Sequence, residues 1–184
     1  MGCSNVAATG CSDGRYGRNT RGHNSRVLTV LFSPDGKQLA SSSSDGTVRL
    51  WDTITGTTIQ KWECHALYVL FSPDGKQLAI ASGKSVQLWD SAIGAVLQVL
   101  EGFTSWVSAI AFSPEGQQLV AALLDESVCL FDALTGALLQ KFGSCIKNIS
   151  AVALSPDKKQ LALASRDNMV RLLDTATGDM MYML

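Results

Sequence analysis

Apolar and small residues fall in short runs along this chain, and turn-forming residues interrupt them at regular intervals. Within residues 22–63 the runs occupy 27–32, 38–43, 47–51 and 58–62. The first is β-branched and apolar, which suits a pleated surface covered on both sides. Between the runs stand Ser33-Pro34-Asp35-Gly36, Asp45-Gly46 and Thr55-Gly56. Proline presets φ, and glycine supplies the positive φ that tight turns need. Asp-Gly between apolar runs is the strongest short-range hairpin signal. The pattern predicts four short antiparallel strands joined by tight links. Those links are too short for the crossovers of a parallel sheet, and no useful helical stripe separates the runs.

The same pattern then returns. The phrase FSPDGKQLA stands at 32–40 and again at 71–79, followed by FSPEGQQLV at 112–120 and LSPDKKQLA at 154–162. Each copy leads to a similar pair: Trp51-Asp52, Trp89-Asp90, Phe131-Asp132 and Leu173-Asp174. A period of roughly 40 residues predicts an array of sheets. A sheet that is apolar on both faces cannot satisfy itself, so the sheets must stack on one another.

Gly22-His23, the S-P-D-G turn, Asp45 and Trp51-Asp52 resemble the signature of the WD-repeat family. The resemblance covers residues 22–184, in units of about 22–63, 64–101, 102–143 and 144–184. It implies an all-β fold, a WD40-type β-propeller of about four four-stranded blades, incomplete or open. Residues 1–21 read as a degenerate partial repeat, because Thr9 and Asp13 match Ser41 and Asp45 before RYGRNTR breaks the pattern. An irregular segment is expected there. Family rings most often have seven blades, so two blade faces would stay uncovered. If each left about 300 Å² of apolar surface exposed, about 15 kcal/mol of burial would be forgone as an upper bound. A second copy, or missing blades from a longer protein, is therefore expected to complete the ring.

The resemblance also implies site residues. In this family a hydrogen-bonded set locks each blade, and here it would be His23, Ser41, Asp45 and Trp51. The second unit has Ile80 and Gly83 beside Trp89, the third Phe103, Ala121, Asp125 and Phe131, and the fourth Cys145, Leu163, Asp167 and Leu173. These read as apolar replacements of the lock, with Asp125 and Asp167 capping their own hairpins toward water. Partners of the family usually dock on the loops before the first strand and between the second and third. Those positions are Arg26, Trp106 and Asn148, then Ser44, Leu124 and Arg166. They vary between units while the framework repeats.

Composition narrows the function. The chain is 46% hydrophobic and 17% charged with a net charge of −1, which argues against disorder and against nucleic acid as the main partner. Its five cysteines form no C-x-x-C pair, so reduced thiols in a cytoplasmic setting are expected rather than a disulfide framework or zinc. No run is long enough to span a membrane, and residues 1–25 carry no secretory signal. His23 and His65 are the only histidines, both at repeat positions. Gly83-Lys84-Ser85 copies the end of a phosphate loop, but Leu78 stands where its first glycine belongs. No catalytic motif and no cofactor is expected. The expected function is a non-catalytic protein-interaction scaffold or recognition module. Near-verbatim repeats resemble the C-terminal arrays of fungal NACHT-type and incompatibility-type signalling proteins. The alternatives are a mitochondrial-division adaptor, a small-ligand binder or enzyme using a central channel, and a fragment without function.

Overall fold

The computed structural model describes residues 22–143 and 146–184. They form sixteen β-strands in four four-stranded antiparallel sheets, with strand order following chain order in each sheet. The first sheet contains β1 (Val27–Phe32), β2 (Gln38–Ser43), β3 (Thr47–Asp52) and β4 (Thr58–Glu63). The second contains β5 (Tyr68–Phe71), β6 (Gln77–Ser82), β7 (Ser85–Asp90) and β8 (Val96–Leu100). The third runs from β9 (Val107–Phe112) through β10 (Gln118–Leu123) and β11 (Ser127–Asp132) to β12 (Leu138–Gly143). The fourth runs from β13 (Ile149–Leu154) through β14 (Gln160–Ser165) and β15 (Val170–Asp174) to β16 (Met180–Met183). Residues 1–21 and 144–145, including the partial repeat and Cys145, lie outside the described residues.

The turns form where the sequence places them. Asp35 Oδ1 accepts bonds from Ser33 Oγ–H at 2.7 Å and from the Lys37 N–H at 3.1 Å, which closes the Pro-Asp-Gly turn. Asp52, Asp90, Asp132 and Asp174 each accept the backbone N–H groups two and three residues on. They are turn-starting residues. The fourth Pro-Asp turn lacks its glycine: Lys158 adopts φ 60° there. Its ammonium reaches back to Gln117 Oε1 at 2.9 Å and pairs with Glu115, tying the fourth sheet to the third.

The sheets stack as blades of an incomplete β-propeller. Inner strand β1 packs against β5, β5 against β9, and β9 against β13. Three apolar clusters fill the gaps between successive blades. Ala40, Val48, Leu50 and Trp62 meet Val69, Leu78 and Ile80 in the first. Ala79, Val86, Leu88 and Leu100 meet Ile110, Leu119 and Phe131 in the second. Val120, Val128, Leu130 and Phe142 meet Leu154, Leu161, Leu163 and Leu173 in the third. Two further seams run outside these cores. A Cβ at Gly75 would lie 3.3 Å from Pro34, and one at Gly116 3.2 Å from Pro73, so adjacent Pro-Asp/Glu-Gly turns touch. Gln98 Nε2 donates to the Leu134 carbonyl at 2.8 Å across the outer rim. The stack does not close, and the blades form an arc.

Candidate partner-binding groove

The hydrogen-bonded set of the first blade joins β2 and β3 to the segment before β1. Trp51 Nε1–H donates to Ser41 Oγ at 2.8 Å, and Ser41 Oγ lies 2.7 Å from His23 Nε2. His23 Nδ1 is 3.1 Å from Asp45 Oδ2, with both side chains nearly sheltered from solvent. One neutral tautomer satisfies every member: Nδ1–H donates to the carboxylate while Nε2 accepts from the serine hydroxyl. Asp45 also accepts from the Asn24 N–H, the Thr47 N–H and Thr47 Oγ1–H. Burial disfavours its anion, but the bonds from Thr47, Asn24 and His23 outweigh that and hold the carboxyl well below the usual carboxylate range. Arg49 lies over the Trp51 ring, 5.6 Å from its centre. The set binds segments of one blade together, and its Asp45 lines a polar cleft of about 270 Å³ with Asn24, Thr47 and His65.

The other blades treat the same positions differently. In the second, Ile80 replaces the serine, and Trp89 Nε1 is buried without a hydrogen-bond acceptor among the described residues. The imidazole of His65 instead packs against Gly46 of the first blade's Asp-Gly turn. In the third, Phe103 lies tilted against Phe131 with ring centres 5.2 Å apart, where the first blade sets His23 edge-on to Trp51 at 5.9 Å. Thr104 then supplies the donor that His23 supplies in the first blade, since its hydroxyl bonds Asp125, which also takes Ser127 Oγ–H at 2.6 Å. In the fourth, Asp167 accepts from Ser165 and from the Met169 N–H, and pairs with Arg171 at 2.7 Å. Both aspartates are partnered at partly exposed turns.

The six rim residues fall into three pairs. The Ser44 N–H donates to the Arg26 carbonyl at 2.8 Å, the Leu124 N–H to that of Trp106 at 2.9 Å, and the Arg166 N–H to that of Asn148 at 3.2 Å. Each bond ties the loop before a blade's first strand to the turn between its second and third. Asn148 holds φ 56°, a left-handed conformation that asparagine tolerates better than most residues. Two of the pairs line one groove of about 300 Å³, namely Trp106 with Leu124 and Asn148 with Arg166. Trp106 is 54% exposed and Leu124 57%, so neither packs away into its own loop. Arg26 and Ser44 lie on the first blade, outside this groove. Leu67 and Tyr68 join the lining from the second blade, together with Ser108, Ser150 and the buried Val107 and Ile149. Leu67 and Tyr68 stand at a strand start, a place the repeat pattern marks as framework.

The groove therefore mixes apolar and aromatic side chains with the hydroxyls of Ser108 and Ser150, one guanidinium and one carboxamide. Comparison with known sequences bears on what such a rim does. Residues 14–52, 56–90, 94–132 and 136–174 match the family described as "WD domain, G-beta repeat". Each matched segment ends at the third strand of a sheet. The chain is 58% identical to the Notchless protein homolog of Arabidopsis thaliana over 45 residues, 24% of this chain and 10% of that protein. It is 50% identical over 44 residues to the human serine-threonine kinase receptor-associated protein, again 24% of this chain and 13% of the relative. Against the nuclear distribution protein PAC1 of Arthroderma otae it is 32% identical over 137 residues, 60% of this chain and 30% of that protein. The chain spans less than a third of the length of each of these relatives.

Proposed function

The chain belongs to the WD-repeat family, and from that premise we propose that it is a non-catalytic interaction module that holds other proteins in the groove between its second, third and fourth blades. The observation that carries this reading is the convergence of Trp106, Leu124, Asn148 and Arg166 on one exposed groove. Tryptophan and arginine are the residue types most enriched at binding hot spots. The backbone bonds that tie each loop to its neighbouring turn fix these side chains before a partner arrives, which lowers the ordering cost of association. The fitting ligand is an extended polypeptide segment with apolar or aromatic side chains and one carboxylate for Arg166.

The near-verbatim repetition supports a setting like the recognition arrays of fungal NACHT-type signalling proteins, in the cytoplasm. Among the described residues no helix is long and apolar enough to cross a membrane. The test is selection of binders from a random peptide display library, followed by affinity measurement. Peptides pairing an acidic residue with aromatic or aliphatic ones should bind, and Trp106→Ala and Arg166→Ala should each weaken them at least about tenfold. Binders indifferent to both substitutions, and sensitive instead to exposed Ile54 and Ile93 on the outer turns, would move the site elsewhere.

A further inference from the structure

The outer faces of the first and last blades carry the same residue series as the gaps between blades. Every gap between blades is built by the same positions. The trailing face of a blade presents Val48, Leu50 and Trp62 in the first, Val86, Leu88 and Leu100 in the second, and Val128, Leu130 and Phe142 in the third. The leading face of the next blade meets them with Val69, Phe71 and Trp89, or with Ile110, Phe112 and Phe131.

The outer faces of the first and last blades carry the same series with nothing against them among the described residues. On the leading face of the first blade Val30 is 60% exposed, where its counterparts Val69 and Ile110 are 2% and 8% exposed. Phe32 and half-buried Trp51 continue that face. On the trailing face of the last blade stand Val170, Leu172 and Leu184, with Leu184 71% exposed where Leu100 is 1% exposed. Leu184 pairs with Val170 through two backbone bonds, in the register of Leu100 on Val86 and Phe142 on Val128.

A second series agrees. A Cβ at Gly75 or Gly116 would press on the proline of the preceding blade, while at Gly36 no described residue lies within 4 Å. Likewise Gly94 and Gly136 lie against Gln60 and Gln98, while Gly56 meets none of the described residues. Among the described residues the first blade thus leaves open the place where a preceding blade's proline turn would sit.

From this complementarity we propose that a second copy of the chain covers both ends, the trailing face of each copy receiving the leading face of the other, so that two arcs close into one two-fold ring. A single chain holds both halves of the contact, and a contact of unlike halves made twice by two copies closes on itself instead of propagating. The rim grooves would then appear twice on one face, and a partner carrying two copies of the recognised segment would gain by avidity.

Sedimentation velocity with light scattering on the full chain tests this. The expected result is a species of twice the chain mass. Val30→Asp on the leading face and Val170→Asp on the trailing face should each raise the dissociation constant at least about tenfold. An equimolar mixture of the two variants should regain dimer, because one of its two contacts joins the unaltered faces. Leu184→Asp, at a more exposed position, serves if Val170→Asp disturbs folding by circular dichroism. A wild-type monomer at the highest soluble concentration would overturn the proposal and point to residues 1–21 or to other blades as the cover. Polymers that grow with concentration would also overturn it, as would loss of dimer in the Val30 variant alone.

Discussion

Trp51 and Trp89 occupy the same repeat position and differ in one bond, so replacing each by phenylalanine weighs that bond. Both stand at the penultimate position of a third strand, opposite Leu39 and Leu78, and both are half-buried. The loss of indole surface differs, because Trp89 packs against Trp62 at 5.5 Å between two blades while Trp51 lies on the leading face of the first blade. Repeating Trp51→Phe in a Ser41→Ala background and Trp89→Phe in a Trp62→Phe background separates packing from bonding. Trp51→Phe removes a 2.8 Å bond to Ser41 Oγ, worth a net 0.5–1.5 kcal/mol or about 1 kcal/mol. Trp89→Phe removes an N–H that has no acceptor among the described residues, and relieves a desolvation penalty of about 1–3 kcal/mol. On bonding alone the Trp51 variant should be the less stable by about 2–4 kcal/mol. In a domain of this size that separates the melting temperatures by very roughly 4–16 °C, at about 2–4 °C per kcal/mol. Urea unfolding followed by intrinsic fluorescence and circular dichroism measures the difference. Equal losses in the two variants once packing is separated out would refute the reasoning, because Trp89 would then have a partner of comparable worth.

Four further outcomes follow from the geometry. Gly116→Ala should cost more than Gly36→Ala in thermal melts: both residues hold positive φ, at an expected cost of about 1–2 kcal/mol, but only the first places its Cβ 3.2 Å from Pro73. Leu88→Ala, in the fully buried second cluster, should destabilise by about 2–5 kcal/mol in urea titration. The carboxyl of Asp45 titrates lower in the folded chain than in the unfolded one, so its contribution is complete above the ordinary carboxylate range, about pH 4, and fades as pH falls below it. Asp45→Asn should flatten that acid limb of the stability–pH curve and cost about 1.5–3 kcal/mol at neutral pH. In the groove, Trp106→Ala should leave the melting temperature nearly unchanged, with ΔΔG within about 0.5 kcal/mol, while abolishing most peptide affinity.

The fold was legible because each local signal in the sequence agrees with the others. The runs, the Pro-Asp-Gly turns and the Asp-Gly hairpins all demand the same four strands, and their repetition demands the stack. His23, Ser41, Asp45 and Trp51 stand at family spacing, and the structure brings their polar atoms within hydrogen-bond reach. What the sequence hid was compensation. Nothing in the wording of the third unit says that Thr104, one residue past the expected position, would take up the bond to Asp125. Nothing in Lys158 says that its left-handed backbone would be tied across blades by Glu115 and Gln117. The groove was half visible: four of its residues occupy varying loop positions, whereas Leu67 immediately precedes β5 and Tyr68 begins it. Arg26 and Ser44 occupy equivalent positions but lie on a blade too far along the arc to reach it. Loop position marks the rim, and only the curvature of the stack says which parts of the rim converge.

Amide hydrogen exchange, read by mass spectrometry along the chain, tests most directly whether the four sheets stabilise one another by stacking. The account predicts slow exchange in β6, β7, β10 and β11, which lie in blades covered on both faces, and fast exchange in the outer strands β4, β8, β12 and β16. The second and third blades should open together, at the free energy of the whole arc. Exchange in β6, β7, β10 and β11 as rapid as in the outer strands would mean that the sheets do not cover one another, and the account would fail.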